Sequence, residues 1–387
     1  MSITSFAHVF PRQRLMIAEG AIGRVATETR AEGIARPFVV CSERGSHSAL
    51  FATMIEGFGG DATVWNHVPL HAPLSVTIAA AAAAGAAGCD GIVAFGGGSV
   101  SDLAKGVALA LAEGPEIERF AIVREAGRIV GQRSLAAKLP LVAIPTTLSG
   151  AEVTPGFSLT RDDAYKILFR DPQLAARVLV FDPAVLDGMP AHLLAGSLAN
   201  AIAHGCEALY STARTPISTL FAREGLARLV HGAHAWFAGG NAGAEDLLLG
   251  SYLVAAAIVN ARTALHHATC HKLAPVLGAA HGEVNALVLP HALAFNFPAC
   301  PEVVADIASA IEGRAHAPSA STAKALIERL GHFSRVAGLR TRLREFGIER
   351  ADLAHVAARI FAEPGLTFNP RPIESVRQIE EMLERAW

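Results

Sequence analysis

The stretch GIVAFGGGSVSDLAKGVAL, residues 91–109, indicates the fold of the first half of the chain. A short apolar run with strand character is followed directly by three glycines and then by a segment with helical spacing. Glycines at such a junction let backbone N–H groups approach a pyrophosphate, and the N-terminus of the helix adds the positive end of its dipole. We therefore predict a phosphate-binding loop formed by Gly96, Gly97, Gly98 and Ser99. The alternative is a tight turn, because the pattern is neither GxGxxG nor a P-loop.

Apolar runs and helix-length segments alternate through this half of the chain. The other runs with strand character are PFVVCS, DATVW, PLVAI and RVLVF, at residues 37–42, 61–65, 140–144 and 177–181. Segments of helical length lie between several of them, at residues 46–56, 74–88 and 101–112. Continuous apolar strands separated by helices predict a parallel sheet that is covered on both faces.

The second half of the chain lacks strand character. From Pro190 onward, Ala- and Leu-rich periodic segments are interrupted by Gly and Pro, and this pattern predicts helices. We therefore predict an α/β dinucleotide-binding domain with a parallel sheet at residues 1–185. An all-helical domain at residues 186–387 is expected to follow it.

A second loop, AIPTTLSGAEVTP at residues 143–155, follows another of the predicted strands. Its hydroxyl groups, including Thr146 and Thr147, would lie at the carboxyl edge of the sheet, where open α/β sheets bind ligands. Two such loops at strand ends favour a nucleotide site. Lys105, one turn into the helix after the glycines, is placed either to reach an anion of that nucleotide or to lie exposed to solvent.

The composition excludes several classes of partner. With 51% hydrophobic residues, 18% charged residues and a formal net charge of −2, the chain has no electrostatic footprint for nucleic acid or anionic membranes. The five cysteines are scattered without CxxC spacing, which favours reduced thiols in a cytoplasmic protein. The N-terminal residues lack the apolar segment of a signal peptide. The Ala-rich run at 77–88 is too short and too broken by glycine to span a bilayer.

The segment HHATCHKLAPVLGAAHGEVNALVLPH, residues 266–291, contains an unusual number of histidines for so apolar a stretch. A buried imidazole without a partner costs on the order of 1–3 kcal/mol. A single histidine in such a place is more often a satisfied core or surface residue. For the group, and with His267 and His271 one helical turn apart, a metal site or a proton-transfer site is the better interpretation.

These motifs together resemble the iron-containing alcohol dehydrogenase superfamily, over almost the whole chain. The resemblance implies a dehydroquinate synthase-like architecture, with the active site in the cleft between a nicotinamide-binding α/β domain and a helical domain. It also implies a homodimer. The implied cofactor contacts are Gly96, Gly97, Gly98, Ser99, Asp102, Lys105, Thr146, Thr147 and Lys166.

The same resemblance implies the metal ligands, an aspartate and three histidines in the family. The family motif Asp-Ala-x-x-His reads here as Asn200-Ala201-Ile202-Ala203-His204, and the other two histidines match His267 and His281. His271 matches a histidine near the nicotinamide and the substrate. If a metal is retained, its ligands would be His204, His267 and His281.

Within the superfamily the chain is most similar to the maleylacetate reductases. The features shared with that branch are NAIAHGCEAL, the shortened loop PTTLSGAEVTP, the run ALHHATCHKL and the tail FNPRPI at residues 368–373. Two features depart from the branch: Asp102, where it usually lacks an acid, and AHGEVNALVLPH at 280–291, which is nearer to alcohol dehydrogenases. A reductase of a related keto acid or aldehyde therefore stays open.

The resemblance leads to expectations about both cofactors. Ser42, with Arg44 nearby, stands where family members that prefer NAD often carry an aspartate. Without a carboxylate to repel a 2′-phosphate, we expect both NADH and NADPH to be accepted. Asn200 removes the anionic metal ligand, and ferrous iron binds weakly to such sites. We therefore expect a divalent metal to be held weakly or not at all.

The predicted reaction is reduction of maleylacetate, an unsaturated keto dicarboxylic acid, to 3-oxoadipate. Hydride addition to a C=C bond conjugated to a ketone develops charge on an enolate oxygen, which hydrogen-bond donors or an imidazolium can stabilise without a metal. His271 and His267 are the candidates for the proton donor, and His204, His281 and Asn200 complete the predicted catalytic group.

Three other functions are alternatives to the reduction of maleylacetate. A metal-dependent alcohol dehydrogenase is the nearest. His267 and His271 have the spacing of zinc hydrolases, but no glutamate lies between them to act as a base. A nucleotide-binding protein without catalysis is disfavoured by the intact histidines.

Overall fold

The computed structural model describes residues 5–125, 128–162, 165–239 and 242–387. Within them the strands are β1 (Arg14–Ile17), β2 (Pro37–Cys41), β3 (Thr63–Trp65), β4 (Gly91–Gly96), β5 (Val123–Glu125), β6 (Arg128–Val130), β7 (Leu141–Pro145), β8 (Gly156–Thr160), β9 (Lys166–Arg170) and β10 (Val178–Phe181). Six of them form a parallel sheet in the order β1-β10-β7-β4-β2-β3. The parallel sheet predicted from the apolar runs is confirmed.

The remaining strands form two antiparallel hairpins, β5–β6 and β8–β9. Strand β1 and both hairpins were not predicted from the sequence. β1 is an edge strand of four residues, RLMI, and its side chains are exposed or only half-buried. A short edge strand with one outward arginine has little of the apolar continuity that marked the central strands.

The helices are α1 (Val25–Ala31), α2 (Glu43–Ser46), α3 (Ala49–Glu56), α4 (Leu74–Ala86), α5 (Gly98–Glu113), α6 (Ala191–Tyr210), α7 (Pro216–Phe237), α8 (Ala244–Ala261), α9 (Leu265–Val276), α10 (His281–Asn296), α11 (Pro301–Glu312), α12 (Ala320–Val336), α13 (Leu353–Phe361) and α14 (Val376–Ala386). No strand follows β10 in the described part of the chain, so the predicted helical second half is confirmed. The boundary between residues 185 and 186 remains a prediction.

Helix α5 begins three residues before the predicted start at 101. Its N-cap is Gly97, and no side chain caps it. The glycine loop and the first turn of the helix are therefore one structural unit. The N–H of Val100 bonds back to the carbonyl oxygen of Gly97 at 3.1 Å, whereas the N–H groups of Gly98 and Ser99 have no partner among the described residues and are available to a ligand.

One helix, α8, is long and apolar enough to cross a membrane by length and composition. In this structure it packs against α6 and α7. Leu247, Leu248, Val254 and Ile258 of this helix are among the buried residues of the main core. Its apolar character is therefore accounted for by packing inside the helical part.

The topology of the sheet determines where a ligand can bind. The chain passes from β2 outward to β3 and then returns to β4, on the other side of β2. The strand order thus reverses between β2 and β4, and in open parallel sheets the crevice outside such a reversal is the usual binding site. Ser42 follows β2 and Gly97 follows β4, so Ser42 and the predicted glycine loop meet at this crevice, and the PTT loop follows the neighbouring strand β7.

Candidate active site

A cavity of about 1090 Å³ lies between the carboxyl edge of the sheet and the helices α6, α9 and α10. It contacts most of the residues that were predicted from the sequence. Those that line it are Ser42, Gly97, Gly98, Ser99, Asp102, Thr146, Thr147, Lys166, Asn200, His204, His267, His271 and His281. Residues that lie more than 200 positions apart in the sequence therefore share one cavity.

The loop after β4 packs too closely against the PTT loop to carry a side chain at Gly97. A Cβ atom at Gly97 would lie 2.9 Å from both Cγ2 and Oγ1 of Thr147. The Thr147 hydroxyl is itself buried and has no hydrogen-bond partner among the described residues. Ser99 accepts a hydrogen bond from the backbone N–H of His71 at 3.1 Å. Together, glycine backbone and an unused hydroxyl at a helix N-terminus form a cradle for a phosphate group.

Two predicted cofactor contacts, Gly96 and Lys105, do not line the cavity. A Cβ at Gly96 would lie 2.5 Å from a methyl group of Val100, so this glycine serves packing within the loop. The prediction that Lys105 reaches an anion is corrected. Its fully buried ammonium donates to the carbonyl oxygens of Ala151, Thr154 and Gly156 at 2.5, 2.7 and 3.0 Å. Burial lowers its pKa to about 8.

Lys105 and Asp102 therefore support neighbouring parts of the cavity wall. Lys105 ties α5 to the segment that follows the PTT loop. Asp102 accepts hydrogen bonds from the backbone N–H and the hydroxyl of Ser158, at 3.2 and 3.1 Å, and so connects α5 to β8. Asp102 still lines the cavity, whereas Lys105 lies behind it.

His267 is held by a carboxylate that the sequence reading did not assign. Its Nδ1 donates to Oε2 of Glu207 at 2.5 Å. The other oxygen of Glu207 accepts from the Tyr210 hydroxyl at 3.1 Å and from the N–H of Ala264 at 3.0 Å. Glu207 is completely buried. A buried carboxylate that accepts this many hydrogen bonds fixes the orientation of the imidazole and the position of one of its protons.

Asn200 faces the other nitrogen of the same ring. Its Nδ2 donates to the carbonyl oxygen of Ser149 at 3.1 Å, so its Oδ1 is directed toward Nε2 of His267, 3.4 Å away. An amide oxygen can only accept hydrogen bonds. A hydrogen bond between these two atoms needs a proton on Nε2 in addition to the one on Nδ1. Burial, followed by the charges of His271 and Lys166, lowers the pKa of His267 well below its usual value and so disfavours that imidazolium.

His204 and His281 complete the polar wall. The His204 and His267 rings are stacked, with centroids 4.4 Å apart, and His281 lies 6.2 Å from His267. Nδ1 of His204 and Nδ1 of His281 are buried without a hydrogen-bond partner in the described structure. Burial, followed by the charges of neighbouring groups, lowers the pKa of both rings well below its usual value. Both are therefore neutral at physiological pH.

The four matched ligand positions do not form a preassembled metal site. Their donors are three imidazoles and one amide, and none of them is an anion. Among the described His, Cys, Asp and Glu residues, the one group of three whose ligand atoms all lie within 4.8 Å of one another is Glu207, His266 and His267. In that group, Nδ1 of His267 is bonded to Glu207, and Nε2 of His266 lies 3.1 Å from the carbonyl oxygen of Asn285. With no anionic donor among the four matched residues, the site would hold a ferrous ion weakly.

His271 has its own carboxylate partner, which was also not predicted. Nδ1 of His271 lies 3.3 Å from Oε2 of Glu363, and the ammonium of Lys272 lies 2.6 Å from Oε1. Burial would raise the pKa of Glu363, but the hydrogen bond from His271 and the charge of Lys272 hold it below its usual value. Glu363 is thus ionised and fixes the His271 ring at the cavity wall.

A close backbone contact joins helix α10, which begins with His281, to helix α6, which contains His204. A Cβ at Gly282 would lie 2.5 Å from the carbonyl of Gly196, so glycine permits the first turn of α10 to touch α6. The ring of His281, the first residue of α10, then lies 6.2 Å from that of His267 and 5.9 Å from that of His271, measured between centroids. Glu283 of the same turn accepts two hydrogen bonds from the Arg340 guanidinium, each 2.8 Å long. The unusual AHGEVN segment therefore has a structural role.

Comparisons with known proteins match almost the whole chain to one family. The family described as iron-containing alcohol dehydrogenase matches residues 11–183, and its C-terminal counterpart matches residues 194–387. A maleylacetate reductase of Sphingobium indicum is 32% identical over 379 residues, 96% of this chain and 95% of the relative. One of a Rhizobium species is 29% identical, covering 99% and 97%. The crystal structure of a maleylacetate reductase from Agrobacterium tumefaciens superposes with a TM-score of 0.78 at 29% identity, covering 100% and 99%.

Proposed function

Since the chain belongs to the iron-containing alcohol dehydrogenase family and is an oxidoreductase, we propose that it reduces maleylacetate to 3-oxoadipate with NADH or NADPH. The observation that carries the proposal is the pair of imidazoles, His267 and His271, each held by its own buried carboxylate in one cavity. Such a pair can stabilise an oxyanion and deliver a proton.

The cradle after β4 is the proposed site of the cofactor pyrophosphate. Gly97, Gly98 and Ser99 offer backbone N–H groups, and the unpartnered Thr147 hydroxyl faces the same space. Ser42, at the end of β2, uses its hydroxyl to cap α2 by accepting from the N–H of Gly45. No carboxylate is present at position 42 to repel a ribose 2′-phosphate, which supports the acceptance of both NADH and NADPH.

The proposed reaction has two chemical steps on the substrate. A bound dihydronicotinamide supplies a hydride, which adds to the alkene carbon beta to the ketone. The electron pair of the C=C bond moves to the ketone oxygen, so an enolate forms. Protonation of the carbon next to the ketone then gives 3-oxoadipate, with the ketone retained.

In this proposal His267 and His271 have different chemical roles toward the substrate. Nε2 of His267 donates to the enolate oxygen in this proposal, which requires a second proton on the ring: burial disfavours that imidazolium, whereas the negative charges of Glu207 and of the enolate favour it. His271, whose Nδ1 is held by Glu363, passes a proton from Nε2 to carbon when both of its nitrogens are protonated, and a proton from solvent restores it after turnover. The neutral rings of His204 and His281 line the same cavity. No step in this sequence requires a metal.

A panel assay tests the substrate assignment. Oxidation of NADH and NADPH is followed against maleylacetate, other unsaturated keto acids, simple aldehydes and simple ketones. Maleylacetate is expected to give the highest kcat/KM. Faster turnover of a simple aldehyde than of maleylacetate would contradict the proposal.

One observation favours a second candidate, a metal-dependent alcohol dehydrogenase. Oδ1 of Asn200 and Nε2 of His267 lie 3.4 Å apart, and a cation between them would satisfy both atoms as well as a proton does. Asn200, His204, His267 and His281 would hold that ion. Oxidation of a primary alcohol that depends on added divalent metal would support this function.

A further inference from the structure

Two arginines line the cavity beside one end of helix α8. Arg170 is the last residue of β9, and Arg262 follows directly after α8. Nη2 of Arg170 donates to the carbonyl oxygen of Val259 at 3.1 Å, which ties its guanidinium to the last turn of α8. The two positive side chains are therefore neighbours on the same part of the wall.

Among the residues that the structure describes, neither guanidinium has a carboxylate partner. No ion pair joins Arg170 or Arg262 to an acidic residue within the described ranges. Three acidic groups line the cavity, Asp102, Asp187 and Glu283. Asp102 accepts from Ser158 and Glu283 from Arg340, and none of the three forms an ion pair with either arginine within the described ranges. Burial first, and then the charge of Arg262, lowers the pKa of Arg170 to about 10. Two like charges in a partly buried place require an anion that the protein itself does not supply.

The backbone at Arg262 supports a role in binding. Its φ of 68° and ψ of 155° lie in a region that glycine occupies almost alone. Arginine occupies this position although glycine would relieve the strain. Residues with such strained backbone dihedrals are concentrated at ligand sites, where a well-placed side chain can outweigh the free energy that the strain costs.

Strand β9 extends from the two arginines toward the histidines of the cavity. Side chains alternate along a strand, so Lys166 and Arg170 lie on one face, about 13 Å apart along the chain. After burial, the charge of Lys166 is the largest influence that lowers the pKa of His281, so Lys166 marks the histidine end of the strand. Arg170 marks the other end. A substrate whose reacting carbons lie at the histidines would extend toward the arginines.

We propose that Arg170 and Arg262 form a carboxylate-binding subsite that selects substrates with a terminal carboxylate. This inference rests on the proposed reduction of an unsaturated keto dicarboxylate and identifies the residues that recognise one of its acid groups. A planar guanidinium matches a carboxylate with two parallel hydrogen bonds, and two guanidiniums make neutral analogues poor ligands.

The test is binding of adipate, a dicarboxylate that cannot be reduced, to the full-length protein by calorimetry. Adipate is expected to bind the parent, and dimethyl adipate, its neutral ester, at least tenfold more weakly. Arg170→Met and Arg262→Gly should each raise the Kd for adipate roughly 10- to 100-fold. Arg262→Gly should keep the parent Tm, because glycine accepts this backbone conformation.

Arg223→Met is the matched control. Arg223 is half-exposed and pairs with Asp306 outside the cavity, so its loss should leave adipate binding unchanged. Failure of the parent to bind adipate, or equal Kd values in the parent and both cavity variants, would overturn the subsite.

The subsite and the proposed reaction can fail separately. If adipate binding depends on the arginines but maleylacetate is not reduced, the reaction is wrong and the subsite stands. If maleylacetate is reduced and the variants keep the parent KM, the subsite is wrong and the reaction stands.

Discussion

The protonation of two imidazoles determines what this site can do at the scale of single residues. Glu207 holds the Nδ1 proton of His267, and Glu363 holds that of His271. In both rings the Nε2 atom is then the group that can serve a substrate. Carboxylates that orient histidines in this way are a common means of fixing a tautomer.

Loss of either histidine should reduce catalysis without preventing cofactor binding. Removal of a general acid costs about 10²–10⁴-fold in rate. We therefore expect kcat for maleylacetate to fall by this factor in His271→Ala and in His267→Ala, while NADH titration gives an unchanged Kd. His234→Ala, an exposed histidine on α7, is the control. Parent activity in both cavity variants would exclude these side chains from the chemistry.

Glu363→Gln tests whether this carboxylate acts by positioning His271. The amide keeps the size of the side chain but no longer holds the imidazole by charge. We expect kcat to fall roughly 10-fold or more, with KM nearly unchanged, because an interaction with the catalytic ring is weakened. Glu328→Gln, in an exposed pair with Lys324, should leave both constants as in the parent. A change confined to KM would assign Glu363 to substrate binding instead.

The side chain at position 200 should govern metal retention. With an amide there, the purified protein is expected to hold less than stoichiometric iron or zinc and to keep its activity after chelation. Asn200→Asp adds an anionic ligand and should increase the metal content measured by elemental analysis, without raising turnover of maleylacetate. Loss of parent activity on chelation, and recovery when metal is added back, would refute this.

Sequence could predict the histidines but not the groups that hold them. His267 and His271 stand out because imidazoles are rare in so apolar a helix. Glu207 lies three residues after His204, on the same face of α6, which was a usable signal. Glu363 lies 92 residues from His271, and only the fold brings the two together. Arg262 carried no signal, since its unusual backbone is not visible in the sequence.

At the scale of elements, the junction between β4 and α5 is the part that the sequence described best. Strand, glycines and helix were predicted in the right order, because the pattern is local. The exact start of α5 was not, since glycine rather than a capping side chain begins it. Lys105 was misplaced because a lysine one turn into a helix is usually exposed, whereas here it bonds three carbonyl groups.

Gly97→Val should prevent cofactor binding while leaving the fold intact. The new side chain would enter the space between the loop and Thr147, where even a Cβ is 2.9 Å from the threonine. We expect no measurable NADH binding by fluorescence titration and a far-UV circular dichroism spectrum like that of the parent. Gly23→Val, at an exposed glycine with no atom near its Cβ position, is the control. Parent-like NADH affinity in Gly97→Val would show that the loop is misassigned.

At the scale of the whole molecule, the sheet and the helical part each contribute one half of the cavity. The sheet presents the loops for a nucleotide at its carboxyl edge, and α6, α9 and α10 present the polar groups for the substrate. The parallel sheet and the helical second half followed from sequence periodicity. The edge strand β1 and the hairpin that carries Lys166 and Arg170 did not, because short strands with polar residues lack that periodicity.

The most direct test of the central claim is the position of the transferred hydride. Maleylacetate is reduced with NADH that carries deuterium at both C4 positions, and the product is analysed by NMR. The account predicts 3-oxoadipate with one deuterium on the carbon beta to the ketone and with the ketone intact. Deuterium on a new carbinol carbon, as in reduction of the ketone to an alcohol, would contradict it.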